Sequence, residues 1–310
     1  MFDLAVIVLR WLQMTGAMIL FGSSLFFIYA LPKAGVGSAA ALRWSRPLLI
    51  SSAAMVLITC LLGFLAQTVV LAGSVQDALQ PDALNAAATG MSFGKSSIVR
   101  AVASLLFVIA FAFFKPGRGA WGLAAVAGGV ICASFAWMGH GAATPGATGL
   151  LHAASDIVHT LAAGVWLGAL AVFLLLLLTD ARQPPDARHS LHAALHGFSG
   201  VGSGLVAVLV ATGLINAWFV VGLAGLPRLL TTPYGQLLTL KLVVFLAMLG
   251  LAAANRFQLT PRLGQALAAA SPTPPAIAAL RRSLVLETAL SIIVIALVAW
   301  FGTLAPPAVP

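Results

Sequence analysis

From residue 4 to residue 29 the chain reads LAVIVLRWLQMTGAMILFGSSLFFIY, and apolar runs of this kind recur to its C-terminal end. A helix of about 20 apolar residues matches the roughly 30 Å hydrocarbon core of a bilayer. Hydrocarbon offers the backbone no hydrogen-bond partner, so each run must satisfy its own N–H and C=O groups as a helix. The pattern therefore forces a bundle of membrane-spanning helices. Composition agrees, with 61% of the 310 residues hydrophobic and 7% charged. The mean hydropathy of +1.06 lies far outside the soluble range. A formal charge of +9 raises the question of nucleic acid, but the basic residues stand singly in short loops rather than in one stripe, so no nucleic-acid partner is expected.

Hydropathy and breaker residues predict spans at roughly 4 to 29, 47 to 72, 93 to 114, 120 to 139, 150 to 178, 198 to 222, 236 to 256 and 283 to 304. The N-terminus has no basic leader and its apolar run is too long for a signal peptide, so it is expected to stay as the first span, with no soluble domain left over. Cys60 and Cys132 lie within apolar runs and in no CxxC or CxxCH motif, which makes them packing residues. Lys33, Arg43 and Arg46 follow span one, Lys115 and Arg118 span three, Arg182 and Arg188 span five, and Arg256, Arg262, Arg281 and Arg282 span seven. The other side carries little beyond Arg228 and Lys95, so the positive-inside rule puts both termini outside. The setting expected is a bacterial cytoplasmic (inner) membrane crossed many times, with lipid as the immediate partner. The Pro-rich stretch SPTPPAIAALRR, 271 to 282, is then a cytoplasmic linker.

The two halves resemble each other. Gln13 and Gly22 of span one are spaced like His159 and Gly168 of span five, with Arg10 and Asp156 three positions earlier. Phe93-Gly94 precedes Arg100 as Tyr234-Gly235 precedes Lys241, and spans four and eight both end in Ala-Trp-x-Gly. The fold class expected is all-α integral membrane, two parallel-oriented four-helix repeats over 1–145 and 146–310, with a site between them.

Most of the chemistry lies near the junction of the halves. His152, Asp156 and His159 stand at i, i+4 and i+7, on one face of span five. Met138 and His140 approach from the end of span four, and Met14 and Met18 share a face of span one. Imidazole with thioether is a soft donor set suited to copper, as Cu+ or Cu2+, and poor for magnesium or calcium. Zinc more often recruits thiolate or a third imidazole. His189, His192 and His196 form a second helical group on the opposite side, readable as a further metal site or as a solvated turn. Arg10, Gln13, Arg100, Asn216 and Lys241 fall within a few turns of the outer face and suggest a polar vestibule. Glu287, with Asn255 and Arg256, is expected to form a structural ion pair tying span eight to span seven.

Asp156-x-x-His159, Ala162-Ala163, Trp166-Leu167-Gly168, Thr212-Gly213-x-x-Asn216, Thr232-x-Tyr234-Gly235 with Lys241, Asn255-Arg256 and Arg282-Ser283-x-x-x-Glu287 together resemble the copper resistance protein D (CopD/PcoD) family. The resemblance covers essentially the whole chain and implies an eight-helix inner-membrane protein of copper handling. It implies copper entry from the periplasm, in some cases beside a separate periplasmic copper carrier of the CopC type, and it supports Asp156 and His159 best among the candidate ligands. The His189 group lies outside the family pattern. The resulting expectation is a copper transporter, an importer without enzymatic activity; no P-loop or aspartyl-phosphate motif couples it to a nucleotide. The alternatives are a membrane b-type cytochrome or quinone-linked redox protein, in which facing histidines hold haem, and a copper-binding sensor or assembly protein that transports nothing. The oligomeric state stays open.

Overall fold

The computed structural model describes residues 2–30, 44–113, 117–138, 147–179, 186–269 and 273–306. His140, Lys33, Arg43, Lys115, Arg182 and the first two residues of the Pro-rich stretch lie outside them. The chain runs α1 (Phe2–Tyr29), α2 (Ser45–Ala72), short α3 (Val75–Ala78) and α4 (Pro81–Asn85), α5 (Ser92–Phe113), α6 (Arg118–Ser134) and α7 (Ala147–Thr179). It continues through α8 (Asp186–Val220), short α9 (Gly222–Gly225), α10 (Pro233–Ala254), α11 (Thr260–Ala268) and α12 (Pro274–Phe301). Eight of these, α1, α2, α5, α6, α7, α8, α10 and α12, are long and apolar enough to cross a membrane. Among the described residues all regular structure is helical, as the hydropathy pattern requires.

Several ends differ from expectation, for local reasons. Residues 274–282 are no linker but the first turns of α12. Pro274 and Pro275 sit where a missing N–H costs nothing, because first-turn amides have no partner within the helix. α8 likewise begins well before residue 198 and carries the three histidines within its first turns. α10 starts at a defined cap, where the Thr232 hydroxyl accepts from Gly235 N at 3.2 Å and Pro233 follows in the first turn. At its other end α10 passes into a π-helical turn, Asn255–Leu259, before α11.

α1 and α7 form the centre of the bundle. α1 packs on α2, α6, α7 and α12, and α7 packs on α1, α6, α8 and α12. The two cross where Gly22 meets Gly164 and Gly168, so closely that a Cβ on either Gly22 or Gly168 would overlap the other helix's backbone. Ser23 Oγ donates to Gly168 O at 3.3 Å across the same crossing. In a bilayer, close van der Waals approach replaces the hydrophobic drive between helices, and small residues permit it. On one side of the crossing, Phe26 stacks edge-on against Phe173 at 4.9 Å, and Phe173 against Phe198 of α8 at 5.6 Å.

The halves close differently around this pair. In the first, α2 packs on α5 and α5 on α6. In the second, α8 packs on α7 and α10 on α12, while α8 and α10 scarcely meet. Arg10 Nη1 donates to Gly302 O at 3.1 Å, which places the start of α1 beside the end of α12, so both chain ends lie on one face of the bundle.

Candidate functional site

The gap left between α8 and α10 is continued inward by a cavity of about 550 Å³. Met14 and Met18 of α1, His152, Asp156 and His159 of α7, Asn216 of α8 and Lys241 of α10 all line it. The structure therefore gathers, from both halves, most of the side chains that the sequence nominates for the outer site and its vestibule. Its outward wall is apolar, with Val210, Leu214, Leu242 and Leu246 facing away from the bundle. Its polar groups come from α1 and α7, from Asn216 of α8, from Tyr234 and Lys241 of α10 and from Ser291 of α12.

His159 is the best-defined candidate ligand. Its Nδ1 lies 2.9 Å from Thr212 Oγ1 on α8. The Thr212 hydroxyl has one proton and directs it to Val208 O at 2.6 Å, so at Nδ1 the imidazole donates and Thr212 accepts. That bond fixes the neutral tautomer whose Nε2 lone pair can bind a metal. Ser155 Oγ donates to Thr212 O at 3.1 Å and pins α8 to α7 at this level. His152 is stacked on Phe219 with ring centroids 4.8 Å apart, which orients its imidazole at the cavity wall.

The cationic groups have a structural task. Arg10 is bonded to Gly302 O, and the Lys241 ammonium lies 5.8 Å from the Phe301 ring centroid, so both sit at the C-terminal end of α12. A helix C-terminus carries partial negative charge, and cations there are stabilising. Asp156 acts electrostatically on Arg10, Lys241 and His152, which offsets part of the positive charge around the cavity.

Two residues assigned to the vestibule do not line this cavity. Gln13 points into the first half, where Nε2 donates to Thr59 O at 2.9 Å and Gly63 gives the amide room. Arg100 is fully buried: Nη2 donates to Ser97 Oγ at 3.0 Å, Nη1 to Ser134 Oγ at 3.4 Å, and the guanidinium lies 4.9 Å from the centre of the Phe135 ring. Where the second half holds a cavity, the first holds a packed polar core, because α2 and α5 close over it. Phe135 separates the two, touching Arg100 on one side and the cavity on the other.

Other expectations are corrected as well. Met138 packs on the hydrophobic core and is not among the cavity's lining residues. Glu287 and Arg256 form no ion pair: Glu287 Oε1 accepts from Trp166 Nε1 at 2.9 Å and Oε2 from Asn255 Nδ2 at 2.7 Å. Arg256 is exposed and bonded instead to Ser203 Oγ of α8, because the π-helical turn that buries Asn255 carries the next side chain outward. His192 and His196 stack with centroids 6.2 Å apart, His192 rests on Gly264 of α11, and His189 is exposed. Among the described residues no group of three or more His, Cys, Asp or Glu is arranged to hold a metal, neither this trio nor His152, Asp156 and His159. Both cavity histidines belong to α7, so the described residues offer the cavity no pair from facing helices of the kind a bis-histidine haem needs.

Sequence reasoning overlooked Met248 and Ser291 and named Trp166 only as part of the family pattern; all three line the cavity at its end away from the chain termini. Ser291 Oγ lies 3.8 Å from Met248 Sδ. A signal was present: Met248 is seven residues beyond Lys241 and Trp166 seven beyond His159, each returning to the same helical face.

Comparison with known proteins gives a consistent result. The family described as "Copper resistance protein D-like, N-terminal domain" matches residues 1–150, and the family "Copper resistance protein D" matches residues 192–301. Copper resistance protein D of Pseudomonas syringae pv. tomato is 32% identical over 301 residues, 97% of this chain and 96% of that protein. Inner membrane protein YebZ of Escherichia coli (strain K12) is 35% identical over 131 residues, 42% of this chain and 43% of its own. Copper transport protein CutJ of Bacillus subtilis (strain 168) is 33% identical over 97 residues, 31% of this chain and 17% of its own. No solved structure matches significantly. With similarity running through nearly its full length and both family domains in order, this multi-pass membrane protein belongs to the copper resistance protein D family.

Proposed function

We infer that this protein handles copper in the cytoplasmic membrane by transporting it, and that it imports copper captured in the cavity from the side on which the chain ends lie. One observation carries the reading: His159, Asp156, Met14 and Met18, drawn from the two central helices, line one cavity within the membrane-spanning bundle. The names of two relatives, a copper resistance protein and a copper transport protein, agree with copper as the cargo.

The chemistry follows from the donors. Thioethers and a neutral imidazole are soft ligands that hold Cu+ without requiring the octahedral shell of a hard cation. His159 presents Nε2 because Thr212 occupies Nδ1. Asp156 supplies negative charge where Arg10 and Lys241 would otherwise repel the ion. The basic loops, by the positive-inside rule, support chain ends on the outside and a cavity that draws on periplasmic copper, delivered by a separate carrier of the CopC type. The protein acts as a conduit and not as an enzyme.

The test is uptake of Cu+ into proteoliposomes loaded with a copper chelator, beside equilibrium binding in detergent. Wild-type protein is expected to accumulate copper well above empty liposomes, and His159→Ala to lose its tightest binding and its uptake. A full wild-type complement of bound copper after removal of both His152 and His159 would rule out this cavity, and binding without uptake by wild-type protein would favour a sensor or assembly role.

A further inference from the structure

The cavity ends at Trp166, Met248 and Ser291, but polar groups do not. On α12, Ser291, Glu287 and Ser283 are spaced four residues apart and share one face, and all three are buried. At 1.5 Å per residue the stripe extends about 12 Å from the cavity floor toward the opposite side of the bundle. Glu287 is 3% exposed, and its two oxygens are held by neutral donors, the Trp166 indole and the Asn255 amide. The nearby cation, Arg256, is engaged elsewhere, with Ser203.

Two further atoms on this line have no hydrogen-bond partner among the described residues: Asn255 Oδ1 and Ser283 Oγ, on residues 8% and 7% exposed. Buried acceptors are ordinarily satisfied, and each exception calls for a reason. A carboxylate bonded only by neutral groups in a membrane interior is costly, and such residues typically lie on ion or substrate paths. Asn255 also sits in the π-helical turn that ends α10, and such turns occur often at functional sites.

We propose that Glu287, with Asn255 Oδ1 and Ser283 Oγ, forms a second station for a monovalent metal cation, one step beyond the cavity. Trp166 stands between the two stations. Its indole closes the cavity floor, and its N–H holds the Glu287 carboxylate in place until the ion displaces that bond. The oxygen-rich donors bind more weakly than the thioether and imidazole set, as an exit station must if the ion is to leave. The proposal rests on the transport reading for its place in a path, but the station itself is a binding site that can be measured separately.

The experiment titrates Ag+, a monovalent soft cation that does not change oxidation state, into purified wild-type, His159→Ala and Glu287→Gln proteins, and measures Ag+ flux in proteoliposomes. Glu287→Gln keeps the side-chain shape, and the Asn255 amide can turn to meet it. The expected result is that each variant binds one equivalent fewer than wild type, that the losses are additive in the double variant, and that Glu287→Gln lowers flux at least tenfold. A wild-type complement of Ag+ in Glu287→Gln overturns the station. Absence of flux in the wild type counts instead against transport, whatever the binding shows. Should Glu287→Gln fail to fold, Ser283→Cys is made with Cys60 and Cys132 replaced by alanine and treated with a water-soluble thiol reagent from the side away from the chain ends. Labelling at 283, with none at a Val285→Cys control on the lipid-facing surface, supports a wetted path; an unreactive Ser283→Cys refutes it.

Discussion

Thr212 has no charge and coordinates nothing, yet it decides which nitrogen His159 can offer a metal. Replacing it with valine preserves shape and removes the Thr212 acceptor at Nδ1, so the imidazole, left with its hydrogen bond to the Leu209 backbone, is held less firmly in its tautomer and orientation. Loss of such an outer partner typically costs about 10- to 100-fold in metal affinity. Thr212→Val is therefore expected to weaken Cu+ binding by about that factor in a chelator competition titration, with unchanged thermal stability, and Thr212→Ser to restore most of it. His159, Asp156, Met14 and Met18 were legible in the sequence, because helical spacing puts them on common faces and ionisable groups in an apolar run are conspicuous. Thr212 entered only as part of the family pattern and Met248 was signalled only by its place on the Lys241 face, because a neutral residue in a membrane helix is not conspicuous as an ionisable one is. Gln13 and Arg100 were legible as polar but misplaced: spacing tells which residues share a face and leaves open which helix that face meets.

The crossing of α1 and α7 depends on glycine at two positions that sequence comparison of the halves had already paired, Gly22 and Gly168. A methyl at 168 would fall on backbone atoms of Gly22 and Ser23, which no side-chain rearrangement can relieve. Gly168→Ala is expected to destabilise the protein by about 1–3 kcal/mol, the usual range for overpacking. The measurement is thermal unfolding in detergent, with Gly250→Ala on α10 as a control that meets nothing within 4 Å and is expected to be neutral or mildly stabilising. The number and approximate course of the spans followed from hydropathy. Their ends did not, since Pro274 and Pro275 break a helix in its interior and begin one in its first turn.

For the bundle taken together, the bond from Arg10 to Gly302 and the even count of spans put both ends on one face. The distribution of Lys and Arg supports the proposal that this face is the outer one. Reporters that are active only outside the cytoplasm are expected to be active at both the N-terminus and the C-terminus, and inactive when placed after span one or span seven. A reporter active in those loops and silent at the ends would reverse the orientation and with it the proposed direction of transport. The sequence by itself determined that the chain is a membrane-embedded helical bundle, because a buried backbone in hydrocarbon has no partner but itself. It also determined which faces carry the candidate metal-ligating side chains, because helical periodicity is a property of the single segment. Only the tertiary structure decided that α2 and α5 close while α8 and α10 stay apart, so that Arg100 lies in a packed core and His159 beside a cavity. That difference comes from packing between helices, a property of pairs of surfaces brought together from distant parts of the chain.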